Sequence, residues 1–197
     1  MSFRLMAISL LLVPGLALAA DGSDPDWPCV QRKVEDLSPG LMWPDPVAPA
    51  ELSPAAQDLA AKLALRRVSL DEAQALINAY VAEAPDVSAE TLGNIFLDVF
   101  KKLSRDRSRI IGGIGRYAHG QAALAAKIDA ARVELDDLTG AEAPDNDKID
   151  ALDEQIAWDE RIYTDRERSL TYVCETPVLV EKRLYAVAQM LQAAMPE

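Results

Sequence analysis

Apolar residues recur along one stretch of this chain in steps that alternate between three and four. Phe96, Phe100, Leu103, Ile110, Ile114, Tyr117, Leu124, Ile128, Ala131, Leu135 and Leu138 mark the pattern, with Arg107 and Gln121 as its polar members. A repeat averaging 3.5 residues keeps one stripe of a helix turned toward a partner helix, as in a coiled-coil seam. A second series follows the same alternation: Ile149, Leu152, Ile156, Asp159, Tyr163, Arg166, Leu170 and Val173. Gly140 and the run Ala141 to Asn146 separate the two series and read as a turn. Two seams joined by a short turn predict an antiparallel helical hairpin over about residues 104–174.

The flanks predict shorter helices. Ser53-Pro54 opens the first, with a capping hydroxyl followed by a residue that has no donor to lose. Ser69 and Glu72 form a capping box ahead of Ala73, Leu76, Ile77, Tyr80 and Val81, and Pro85 stops that helix. Ser88 caps the third helix, which runs into the first seam. Thr176-Pro177 predicts a break after the second seam, and Val178, Leu184, Val187 and Leu191 a separate last helix. Residues 21–49 hold Pro25, Pro28, Pro39, Pro44, Pro46 and Pro49, too many for regular structure. Trp27, Cys29, Leu37 and Trp43 are interleaved with them, which predicts an extended arm packed on the body rather than a tether. The expected fold is all-α: a small bundle, a long coiled-coil hairpin and a Pro-rich N-terminal arm. The expected divisions are residues 1–20, 21–52 and 53–197.

Register follows from the two seams. With Leu138 opposite Ile149, Leu135 meets Leu152, Ala131 meets Ile156 and Leu124 meets Tyr163. Gln121 then falls level with Arg166, predicting one shared polar layer that fixes register at a cost in stability. Asp159 faces Ile128 and needs a base, with Lys127 and Arg132 in reach. Gly113 falls level with Cys174. Gly112, Gly113 and Gly115 cost about 1 kcal/mol each in a helix relative to Ala. The uninterrupted heptad phase favours a continuous helix through them, and a groove receiving the arm would account for them.

The N-terminus reads as an export signal. A basic start at Arg4, an apolar run from Leu5 to Leu18 and the site Ala17-Leu18-Ala19 predict cleavage after Ala19 or Ala20 and a periplasmic destination. Later windows are too polar for a membrane span. The two cysteines, Cys29 and Cys174, are expected to pair in an oxidising compartment. The 20 bases and 32 acids leave a net charge of -12. Removing residues 1–20, which hold one base and no acid, makes it -13. Such a chain repels nucleic acid and anionic lipid.

Candidate chemistry is sparse. Gly112-Gly113-Ile114-Gly115 follows no strand and lacks the Lys-Ser/Thr ending of a phosphate loop. His119 is the lone histidine and has no nucleophile in sequence range. The run starting at Asp145 has Asp150 and Ile156 where a calcium loop needs Gly and Glu, which rules out an EF-hand. No catalytic, cofactor or metal residues are assigned, and an enzyme is not expected. Asp136, Asp137, Asp145, Asp147, Asp150 and Asp153 crowd the hairpin tip and are the candidate surface for a periplasmic protein partner. The expected role is non-enzymatic protein–protein interaction, as an adaptor or assembly factor. The competing expectation is a small ligand or divalent metal held by the tip or by the Trp-bearing arm. A homodimer through leftover apolar surface at Ile111, Trp158 and Ile162 is a further expectation.

Overall fold

The computed structural model describes residues 27–84 and 87–196. The expected signal segment and Pro85 lie outside them. Four helices follow the arm: α1 (Pro54–Leu63), α2 (Leu70–Glu83), α3 (Ala89–Thr139) and α4 (Asn146–Ala193). The described residues hold no strand. Ser53, Ser69 and Ser88 each accept a bond from the backbone N–H three residues on, which starts α1, α2 and α3 where the sequence placed them. Asp145 does the same for α4 through the N–H of Lys148.

The two long helices divide the molecule into three apolar clusters. The main core gathers Leu59 and Leu63 of α1, Ile77 of α2, Leu92, Phe96, Val99 and Leu103 of α3, and Val180, Leu184, Val187 and Leu191 of α4. At the waist, Trp27 covers Ile111 and Ile114, with Cys29 and Val173 packed alongside. In the distal hairpin Ile128, Ala131 and Ile156 are buried, flanked by Leu124, Leu135, Leu152 and Tyr163. These are residues of the two expected seams.

The glycine stretch does not interrupt α3, which stays helical for 51 residues. The expected break at Thr176-Pro177 is absent, because α4 runs through it. A proline inside a helix loses a hydrogen bond and crowds the preceding turn, at roughly 3 kcal/mol. Here the helix is clamped on both sides of that site. Cys174 is covalently held on one side, and Val180 and Leu184 are sunk in the core on the other. Pro177 is itself buried, and the Thr176 hydroxyl donates to the Tyr172 carbonyl at 3.2 Å. Packing outweighs the local penalty.

The arm is extended apart from a short 3-10 turn at Pro39–Leu41, and side chains of the body hold its backbone. Arg107 donates to the Glu35 carbonyl at 3.1 Å, and Gln192 to the Met42 carbonyl at 2.7 Å. Asn94 brackets the end of the arm, donating to Ala48 O at 3.0 Å and accepting from Ala50 N at 2.9 Å. Trp43 stacks on Phe96 with ring centroids 5.0 Å apart. Both Trp27 and Trp43 are buried, so they fill grooves rather than present a platform to solvent.

Candidate interaction surface

The tip is built by the end of α3, a turn, and the start of α4. Gly140 closes α3 with its N–H on the Asp136 carbonyl. Asp136, Asp137, Asp145, Asp147, Asp150 and Asp153 are all exposed. Among them Asp145 is committed to structure, since it caps α4 and pairs with the Lys148 ammonium at 3.1 Å. That side-chain bond to Lys148, with the backbone bond behind it, holds the Asp145 carboxyl below its ordinary value. No group of three or more potential metal ligands converges among the described residues.

The expected Gln121–Arg166 layer is not formed by their side chains. The Gln121 amide donates to the Tyr163 carbonyl at 3.1 Å, and the Tyr117 hydroxyl to the Arg166 carbonyl at 2.7 Å. The Arg166 side chain is exposed. Leaving the guanidinium in water avoids the cost of burying a charge, so only the backbone of Arg166 takes part. Asp159 is buried, and the Lys127 ammonium comes to 2.7 Å of its Oδ2. That approach lies off the line of a hydrogen bond, so the pair is a charge contact rather than a directed bond. Arg132 bridges instead to Glu160 at 2.6 Å.

Cys29 and Cys174 are bonded, with Cα atoms 5.5 Å apart, and the bond staples the arm to α4 at the waist. Beside it Arg107, only 3% exposed, bonds Glu181 at 2.7 Å as well as the arm. Gly112 and Gly113 do not take the arm against their own backbone, although Trp27 packs on the neighbouring Ile111 and Ile114. Among the described residues, an added Cβ at Gly112 or Gly113 would meet only Arg116 of the same helix, while Gly115 is half-buried. The close approach occurs at Gly93, where a Cβ would stand 2.8 Å from Val47 of the arm. Ile111 is not leftover surface either, since Trp27 lies over it.

Sequence reasoning missed three residues that organise the body. Arg183, 9% exposed, donates to Leu63 O at 3.0 and 2.8 Å and to Val68 O at 2.6 Å, so it caps the end of α1 from α4. Asn94 and Gly93 complete the set. Their signal was a polar residue or a glycine inside an apolar helical run.

Compared with known protein families, with curated proteins and with solved structures, the chain matches none of them. Its class rests on its own geometry: an all-α protein with a long antiparallel hairpin and a disulfide-stapled arm. No helix among the described residues is long and apolar enough to cross a membrane.

Proposed function

We propose that this is an exported periplasmic protein that acts without catalysis, as an adaptor or assembly factor, presenting its acidic hairpin tip to a basic surface on another protein. The observation that carries this reading is the separation of tip from core. The distal hairpin is held by its own small cluster, and its end carries exposed carboxylates that the fold does not consume, Asp145 excepted. A surface of one sign steers an oppositely charged partner and raises its association rate. The staple between Cys29 and Cys174 supports an oxidising compartment.

The test is a photo-crosslinking residue in place of Ala143, which lies in the turn and caps nothing. Cells expressing the full chain are irradiated and the adducts identified by mass spectrometry. One dominant adduct to a protein other than this chain is expected, weakened when Asp136, Asp137, Asp150 and Asp153 are changed together to Asn. No adduct, or an adduct spectrum indifferent to that neutralisation, refutes the assignment of the tip.

A further inference from the structure

The hairpin has two unlike broad faces. On one lie the arm, the disulfide, and the Arg132–Glu160 bridge. The opposite face carries apolar and small residues around one charged pair, Lys127 with Asp159. Trp158 is 61% exposed and Tyr172 75%, and Ile162 is half-buried between them. α3 answers with Gly120, Ala123 and Ala130, all exposed, and a Cβ at Gly120 would meet nothing within 4 Å. Heptad geometry places these two sets together. In an antiparallel pair, the positions flanking the seam on one side of one helix lie beside the equivalent positions of the other. Large side chains on α4 therefore border small ones on α3, with Lys127 between Ala123 and Ala130 drawn toward Asp159 in the seam.

We propose that this face binds a second copy of the chain, so that two hairpins pack antiparallel, face to face, into a four-helix bundle. Charge selects both the occupant and the direction. Residues 129–160 hold twelve acids and two bases, and residues 101–116 hold six bases, of which only Arg107 is buried, and one acid. A parallel pair would set two tips of net charge near -10 side by side. An antiparallel pair sets each tip toward the basic stretch of the other copy, which no neutral helical partner would satisfy. With the twofold axis near the level of Ala122, Trp158 of one copy reaches Tyr172 of the other. Asp136 and Asp137 then lie at the level of residues 105–109 of the second copy. The Asp165 carboxylates of the two copies meet at the axis, each with its own Arg168 at 3.8 Å. That contact is repulsive and gives the arrangement a signature.

Sedimentation equilibrium on the disulfide-bonded full chain lacking residues 1–20 tests this. The expected result is a dimer, with Trp158→Glu weakening it at least tenfold while circular dichroism stays unchanged. Asp165→Asn should tighten the dimer, and raising salt from 50 to 500 mM should loosen it. A monomer at 100 µM overturns the proposal. So does a dimer indifferent to Trp158→Glu, or one that salt tightens, the mark of apposed tips. If Trp158→Glu fails to fold, Ala130→Arg on the facing helix gives the same reading. The two readings share the tip acids and are separated at Trp158, because Trp158→Glu breaks the dimer while leaving every tip carboxylate in place. A crosslink from the tip to a different protein that survives Trp158→Glu therefore reports on the tip alone, and its loss leaves the dimer test standing.

Discussion

Arg183 offers the sharpest test of how the body is held together. Its guanidinium is buried and donates three bonds, two to the Leu63 carbonyl and one to the Val68 carbonyl. Leu63 ends α1, so its carbonyl has no partner within the helix. Arg183→Met keeps the apolar stem and removes every donor. Each stranded buried carbonyl costs about 1–3 kcal/mol. Against this stands relief from burying the cation, a cost visible in the lowered pKa that desolvation imposes on Arg183. The carbonyls are fixed at a helix end and cannot turn away, so the loss wins, by about 2–4 kcal/mol net. For a chain of this size that lowers Tm by roughly 5–15 °C. Arg183→Lys retains one donor group at a single point and should fall between. Urea unfolding followed at 222 nm, with the disulfide intact, measures all three proteins. A methionine variant within 0.5 kcal/mol of the parent, near the scatter for surface changes, refutes the reasoning.

Four further outcomes follow from other contacts. Replacing Cys29 and Cys174 by Ser opens a loop of sequence separation 145 and should cost about 2–5 kcal/mol in the same unfolding assay, with equal loss in the parent under dithiothreitol. Gly93→Ala should destabilise, because its Cβ meets Val47 at 2.8 Å, whereas Gly112→Ala should stabilise by about 1 kcal/mol; equal effects would refute the placement of the arm. Gln121→Leu should be neutral or stabilising by about 1 kcal/mol in thermal melts, since Gln121 Oε1 is buried and finds no hydrogen-bond partner. Asp145→Ala should lower Tm at pH 7 and not at pH 2. The folded carboxyl titrates below its unfolded value, so its contribution is present above the unfolded pKa and lost as pH falls through the folded one.

The hairpin was legible because a heptad seam repeats its message along both helices. The serine caps were legible because capping is a local event between a side chain and the next turn. The errors share a different cause. Pro177 obeyed its local rule in the sequence, but the staple at Cys174 and the core at Val180 are non-local and override it. Arg166 was expected level with Gln121, yet its carbonyl is taken by Tyr117 and its long side chain leaves the seam for solvent. Gly112 and Gly113 drew attention by clustering, while the single Gly93 marks the point where the arm presses on the helix.

The way the arm is fastened follows from its prolines. Pro39, Pro44, Pro46 and Pro49 carry no N–H, so the arm's backbone holds more acceptors than donors. It cannot join a sheet, and it makes only one short turn of its own. Its carbonyls need donors, and the long helices have already spent their backbone N–H groups internally. Exposed carbonyls of the arm face water, and where the arm meets the body the donors are side chains: Arg107 to Glu35, Gln192 to Met42 and Asn94 to Ala48. Each projects from α3 or α4 at a level fixed by those helices, so the arm is held in place at these points. This explains why Arg107, which looks like a fault in the first seam, is buried and charged. The seam gives up one apolar layer at the waist so that a cation can tie three segments, α3, α4 and the arm, at a single point.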